Sequence, residues 1–326
     1  MNPSPHIPVL FYEVLETLDP RPGEVILDGT LGTASHASAL LSKARPGGFL
    51  IGADQDSELL EVARKHLLRD GWIEQADFAL IHSRFSRVVE SVCQETLPRP
   101  HVSFFDLGIN SHHVDESSRG FSFRLQGPLD MRLDQADSHR PTAAQLLQSL
   151  PVAEVARILR DLGDERFAFR IASAIGREQM KEPITTTGRL ASIVSQSIPR
   201  KAWPPHTHPA TRTFQALRMA VNHELEELEG LLHAVPSLVS RTGDRIGIIG
   251  FHSLELRPVK ERFRNLAQPC TCPSDFPVCV CGSIARFRLL TKTGLGPSEE
   301  EVARNPRARS ARFWALSRIL PDPPPT

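Results

Sequence analysis

The sequence predicts an α/β protein built on a doubly wound, mostly parallel sheet. Three observations carry that prediction. Short apolar runs end on carboxylates at Asp28, Asp54 and Asp106. Segments with helical periodicity separate the early runs, giving the order strand, helix, strand. The first run also leads through a glycine turn, Gly29-Thr30-Leu31-Gly32, into a helix. Open parallel sheets form their ligand crevice with such turns, at the C-terminal ends of the strands.

Val25-Ile26-Leu27 reads as the first strand, closed by Asp28. Leu40, Leu41 and Ala44 fit one face of the helix that follows. Phe49 to Ala53 is the second strand and ends at Asp54. Ser57 to Arg69 carries Leu59, Leu60, Ala63 and Leu67 at helical spacing. Phe78 to Ile81 is the third strand, followed by Arg84-Phe85, and Val102 to Phe105 is the fourth, ending at Asp106. One such aspartate is equally well read as a helix N-cap. Three, at the ends of the first, second and fourth strands, point to a nucleoside-type ligand, with Asp54 accepting the ribose hydroxyls. The turn lacks the Gly-x-Gly-x-x-Gly spacing of a dinucleotide site, continuing as Thr33-Ala34-Ser35, and no P-loop lysine follows. A nucleoside without phosphates, such as S-adenosylmethionine, therefore suits it better than NAD.

After Asp106 the alternation stops. Arg119-Gly-Phe-Ser-Phe123 and Gly127-Pro-Leu-Asp-Met-Arg132 read as a long loop. Phe121, Phe123 and Met131 are costly to expose, so the loop is expected to fold over something. From Pro141 the pattern is helical, with Thr142 as a cap and helices over 153–162, 168–177 and 190–198. Beyond the Pro-rich link 199–209, one long helix is expected from Thr211, with an apolar stripe of Phe214, Leu217, Val221, Leu225, Leu228 and Leu232. Glu224, Glu226, Glu227 and Glu229 are expected on its solvated face. Arg245 to Phe251 is a fifth strand, a helix runs over 259–266, and 285–291 and 311–316 are a closing pair of strands. The tail 321–326 is expected to be disordered.

The 326 residues are 40% hydrophobic and 23% charged, enough for a sizeable core. Thirty-eight basic residues balance 38 acidic ones, which excludes a broadly basic nucleic-acid binder but permits a local basic face. No run is long and apolar enough for a membrane, and no signal peptide is evident, so a cytoplasmic protein is expected. Four of the five cysteines cluster as Cys270-x-Cys272 and Cys279-x-Cys281. Four thiols this close suit tetrahedral zinc, although Cys-x-x-Cys is the usual spacing. Free thiols in a Pro-braced loop are the other reading, and no metal is assigned.

Several stretches together resemble one family. They are His6-Ile-Pro-Val-Leu10, Asp106-Leu-Gly-Ile-Asn-Ser111, the two loop motifs above, His208 to Arg218, Phe251-His-Ser-Leu-Glu255 and Asn305-Pro-Arg-Ala-Arg-Ser310. In order and over nearly the whole chain, they resemble the bacterial 16S ribosomal RNA (cytosine-N4)-methyltransferases, which use S-adenosylmethionine. The resemblance implies a Rossmann-like class I methyltransferase sheet, from 1–140 and 202–320, with an inserted helical substrate-recognition domain at 141–201. It implies a substrate cytosine in the decoding region of 16S rRNA or the small subunit. The cofactor residues it implies are Ala34, Ser35, His36, Asp54, Phe85, Asp106 and His113; read physically, Asp106 at the central strand end is also the catalytic candidate, orienting the amine or the cofactor. The family's usual Gly-Gly-His is Ala34-Ser35-His36 here, and its usual Gln is His113. Phe121, Phe123, Arg124, Arg132, Arg212, Gln215 and Arg218 are candidates for gripping RNA, and Arg304, Arg307, Arg309 and Arg312 for its phosphates. Two other readings stay open: methylation of a different amine, and a non-catalytic ribosome-assembly factor. The oligomeric state is open, a homodimer included.

Overall fold

The structure, a computed structural model, describes residues 8–205, 207–270, 272 and 280–321. His6, Cys279 and residues 322–326 of the expected tail lie outside the described residues. Seven strands form one sheet in the order β3-β2-β1-β4-β5-β7-β6. They are β1 (Val25–Asp28), β2 (Phe49–Asp54), β3 (Phe78–His82), β4 (Val102–Asp106), β5 (Arg245–Gly250), β6 (Phe287–Leu289) and β7 (Arg312–Arg318). The first five pair in parallel, and β7 returns antiparallel between β5 and β6. The central strands are apolar on both faces because helices cover both. One face packs Leu40, Leu41, Leu60 and Leu67 against Ile26 and Phe104. The other packs Val88, Val92, Leu231 and Val259 against Leu27, Phe105 and Ile248.

The chain divides into two compact units, 1–108 with 227–326, and 109–226. The second unit is wider than the expected insertion at 141–201. Its apolar core explains why. Phe121, Leu129 and Met131 from the loop, and Phe214, Leu217 and Val221 from beyond the Pro-rich link, share one cluster with Leu159, Ile171, Leu190 and Val194 of the inserted helices. The loop after Asp106 thus folds over the helical core it precedes. Phe121, offered above as an RNA-stacking ring, is a core residue.

The long helix expected from Thr211 is two helices, Thr211–Asn222 and Glu224–Leu238. His223 breaks it with φ 53°, its N–H donating to the Met219 carbonyl. The apolar stripe runs through the break in sequence, but Phe214, Leu217 and Val221 serve the helical core while Leu228 and Leu232 serve the sheet core. The glutamates are not all on a solvated face. Glu224 receives a bidentate pair from Arg218, at 2.8 and 2.7 Å, and Glu227 sits 3.7 Å from Arg84.

A left-handed conformation costs an L-residue about 1–2 kcal/mol, whereas glycine adopts it freely. H223G is therefore expected to raise stability by up to about 1 kcal/mol after glycine's extra unfolded-state entropy, and H223V to lower it. Urea midpoints of the two variants should lie on opposite sides of the parent, and coincident midpoints would contradict the break.

Candidate active site

Three neighbouring strands deliver one carboxylate each to the same edge of the sheet. β2, β1 and β4 are adjacent and parallel, and Asp54, Asp28 and Asp106 are their last residues. Asp28 lies opposite Gly52 on one side and Phe104 on the other. Asp54 and Asp106 therefore stand two residues further toward the C-terminal edge, with Asp28 recessed between them.

The turn leaving β1 is tied to both neighbouring strands. The Gly29 N–H donates to the Phe104 carbonyl at 3.0 Å, and the Leu31 N–H to the Ala53 carbonyl at 2.9 Å. Thr30 Oγ1 accepts the Asp106 N–H at 2.6 Å. Asp54 accepts the Gly32 N–H on Oδ2 at 2.8 Å and the Asp56 N–H on Oδ1 at 2.9 Å, so its carboxylate is oriented from two sides. Gly29 is required by packing: a Cβ there would stand 2.2 Å from a ring carbon of Phe105.

Burial dominates the electrostatics of this edge. Asp28 is buried, and its carboxyl is pushed up to about 7, with the Thr30 N–H opposing the shift and Asp54 adding to it. Asp106 is raised to about 8 by burial first, then by Asp28 and Glu255. Its Oδ1 is buried with no hydrogen-bond partner. Glu255 opens the Ser253–Ala267 helix as the last member of a capping box, its Oε2 accepting the N–H groups of Phe251 at 2.9 Å and His252 at 3.1 Å.

The other expected cofactor residues fall in different surroundings. Ala34 adopts φ 64°, where glycine would be relaxed, and its methyl is buried in the apolar cluster with Leu10, Leu31 and Ala37. Ser35 Oγ lies 3.2 Å from Thr33 Oγ1. His36 is buried against Phe104, with ring centroids 4.8 Å apart, and its Nε2 meets the Val9 carbonyl at 3.1 Å. Burial lowers its pKa to about 4, so the ring is neutral and Nε2–H donates. Phe85 opens the Phe85–Cys93 helix, half-buried and edge-on to Phe105. His113 belongs to the second unit, where its Nδ1 accepts the Asn110 N–H at 3.2 Å in a capping box and its ring lies against Phe121.

Thr30 and Glu255 carry no role in the sequence reading, yet both shape this edge. Asp28-x-Thr30 has the spacing of an Asx-turn, and His252-x-x-Glu255 that of a capping box with an unusual cap, so both signals were present. The RNA candidates divide by charge pairing. Arg132 is neutralised by Asp130 at 2.8 Å and Arg218 by Glu224. Phe123 is half-buried and stacked on His208, with centroids 4.5 Å apart, and Gln215 is half-buried. Arg124, Arg212, Arg304, Arg307, Arg309 and Arg312 are exposed.

Residues 3–319 match the model of the MraW methylase family. The chain belongs to that family. It is 44% identical to a protein of Citrifermentans bemidjiense over 96% of this chain and 98% of the relative. Relatives from Pelobacter propionicus and Anaeromyxobacter sp. (strain K) are each 46% identical over the same shares. All three are named ribosomal RNA small subunit methyltransferase H. The sheet is a doubly wound, mostly parallel α/β sheet, and membership of a methylase family implies S-adenosyl-L-methionine as the cofactor. The site fits that group: an orphaned, buried carboxylate oxygen among like charges suits a cationic neighbour such as a sulfonium. No helix among the described residues is long and apolar enough to cross a membrane.

Raised carboxyl pKa values set the sign of a pH dependence. Between an unfolded value of 3.8 and folded values of about 7 and 8, Asp28 and Asp106 hold protons in the native state that the unfolded chain has released. The native state then binds more protons, so stability is greatest below the unfolded value and falls as pH rises through the folded ones. Urea midpoints of the ligand-free protein are expected to decline from pH 5 to 8, with D106N flattening the slope. An unchanged slope in D106N would remove Asp106 from this account.

Proposed function

We propose that this chain transfers a methyl group from S-adenosylmethionine to the N4 amine of a cytosine in the decoding region of 16S ribosomal RNA. Two things support the substrate: the relatives' names, which give small-subunit ribosomal RNA, and the motif resemblance, which narrows the target to cytosine N4. The carrying observation is the unpartnered Oδ1 of Asp106 at the end of β4. A ribosomal RNA substrate, free or in the small subunit, places the activity in the cytoplasm.

In this reading the bound cofactor supplies a sulfonium methyl that needs no further activation. Asp54, oriented by Gly32 and Asp56, accepts the ribose hydroxyls. Phe85 flanks the adenine. The backbone of Ala34, Ser35 and His36 lines the turn, with the His36 ring positioning it through Val9. His113 contributes by fixing the start of the Ser111–Asp115 helix. The cytosine must leave its stack to reach a carboxylate at a sheet edge. Its N4 lone pair is delocalised into the ring, so the amine has to be turned and relieved of a proton. Asp106 Oδ1 accepts that N–H, and as the N4–carbon bond forms it takes the departing proton. A pKa near neutrality matches this work as a general base.

Ribosomal RNA from a strain lacking the protein is expected to lose one N4-methyl on a decoding-region cytosine by mass spectrometry. D106N should reduce kcat roughly 10²-fold or more while still folding. The same carboxylate predicts a difference between ligands. Affinity for the cationic cofactor should rise from pH 6 to 8.5 relative to its neutral demethylated product, and D106N should erase that difference. Normal turnover by D106N would reject the role of Asp106, and an unmodified target in the parent strain would reject the substrate.

The exposed arginines of the Pro306–Ser310 turn give a separate measurement. If Arg307 and Arg309 grip phosphates, R307A/R309A should shrink the slope of log affinity against log salt by about 0.7 for each phosphate it no longer neutralises. An unchanged slope would remove them from the RNA-binding surface.

A further inference from the structure

We propose that Cys270, Cys272 and Cys281 bind a structural Zn²⁺ ion that staples the segment between the Ser253–Ala267 helix and β6. Their sulfurs all lie within 4.8 Å of one another. Cys270 and Cys281 are 3.7 Å apart. A disulfide would need about 2.05 Å. Tetrahedral zinc with bonds of about 2.3 Å sets its sulfurs about 3.8 Å apart, close to the Cys270–Cys281 separation.

The surroundings fit a bound thiolate. The Val280 N–H donates to Cys272 Sγ at 3.4 Å, an interaction that favours the deprotonated sulfur. Gly282 follows Cys281 at φ 64°, turning the chain back immediately after the ligand. Apolar burial does not order the described part of the segment. Val280 and Ile284 are 72% and 61% exposed, and Cys270 and Cys281 are also exposed. A cross-link holds such a stretch where a core does not, and soft thiolates with no imidazole or carboxylate in the set select zinc over magnesium or calcium. Binding displaces the thiol protons to solvent and changes no oxidation state. Cys279 lies outside the described residues and is left out of the ligand set. The fourth position belongs to a ligand these three sulfurs do not supply. The site stands apart from the methyl-transfer reading and does not depend on it.

The test is metal analysis of the full chain, purified without an affinity tag and dialysed against dilute zinc and then buffer. About one zinc per chain is expected, retained in C93S and reduced at least tenfold in C270S/C281S. Cofactor binding by calorimetry should persist in the double variant, showing that it is folded. Cobalt added to the zinc-free parent should give thiolate-to-metal charge transfer and intense tetrahedral d–d bands, a readout independent of any variant. Less than a tenth of an equivalent of zinc, iron in its place, full zinc in C270S/C281S, or a cobalt spectrum without thiolate bands would each overturn the proposal.

Discussion

Everything at the C-terminal edge of this sheet follows from two carboxylates that burial keeps from ionising freely. Asp28 and Asp106 end adjacent parallel strands, and each raises the cost of a negative charge at that edge. Asp28 has the Thr30 N–H to offset part of that cost, whereas Oδ1 of Asp106 is buried with no partner. A fold selected only for stability would place an asparagine or an apolar side chain at the end of β4. Keeping an acid there stores an electrostatic strain that a cationic ligand relieves on binding. The hydrogen bonds from Gly32 to Asp54 and from Asp106 to Thr30 hold the turn so that this charge cannot simply relax toward solvent.

The sheet was legible because its strands are buried on both faces. Parallel strands covered on both sides read as short, uninterrupted apolar runs, and here each of β1, β2 and β4 stops at an aspartate. The helix break at His223 was not legible for a related reason. The apolar stripe keeps its spacing from Phe214 to Leu232, and periodicity reports only that a face is buried, not in which core. The loop aromatics show the same ambiguity. Phe121 in a Gly- and Arg-rich stretch has the composition of a nucleic-acid contact, yet its ring fills the helical core beside Met131. That Asp54 and Asp106 end their strands could be read from the apolar runs alone. Thr30 accepts the Asp106 N–H from 76 residues away, a reach that its local Asx-turn spacing does not reveal, whereas Glu255 caps its own helix start through Phe251 and His252, as its local spacing indicates.

Charge pairing reconciles a neutral chain with an anionic substrate class. Arg132 and Arg218 are paired inside the second unit with Asp130 and Glu224, and their burial makes them structural. Arg304 ends, and the exposed Arg307, Arg309 and Arg312 follow, a helix whose first turn is Glu299-Glu300-Glu301, so the stretch has no large net charge of its own. One of those glutamates, Glu301, accepts the Leu10 N–H at 2.8 Å. Arg307 and Arg309 are thereby presented on a turn that follows a helix anchored from within its own unit.

The motif resemblance implies Gly-Gly where this chain has Ala34-Ser35, and the structure locates what that change costs the fold. At φ 64°, Ala34 carries a left-handed penalty of about 1–2 kcal/mol that glycine would avoid. Against this, its methyl is fully buried with Leu10, Leu31 and Ala37, and a buried methyl returns about 0.8 kcal/mol. Alanine also restricts the unfolded chain relative to glycine, by roughly another 0.4–1 kcal/mol. The terms nearly cancel, so the substitution is tolerated by the fold. Because the methyl lies in the core, it leaves the ligand edge to the backbone, and Gly32, at φ 53° and hydrogen-bonded to Asp54, retains the conformational freedom the turn requires.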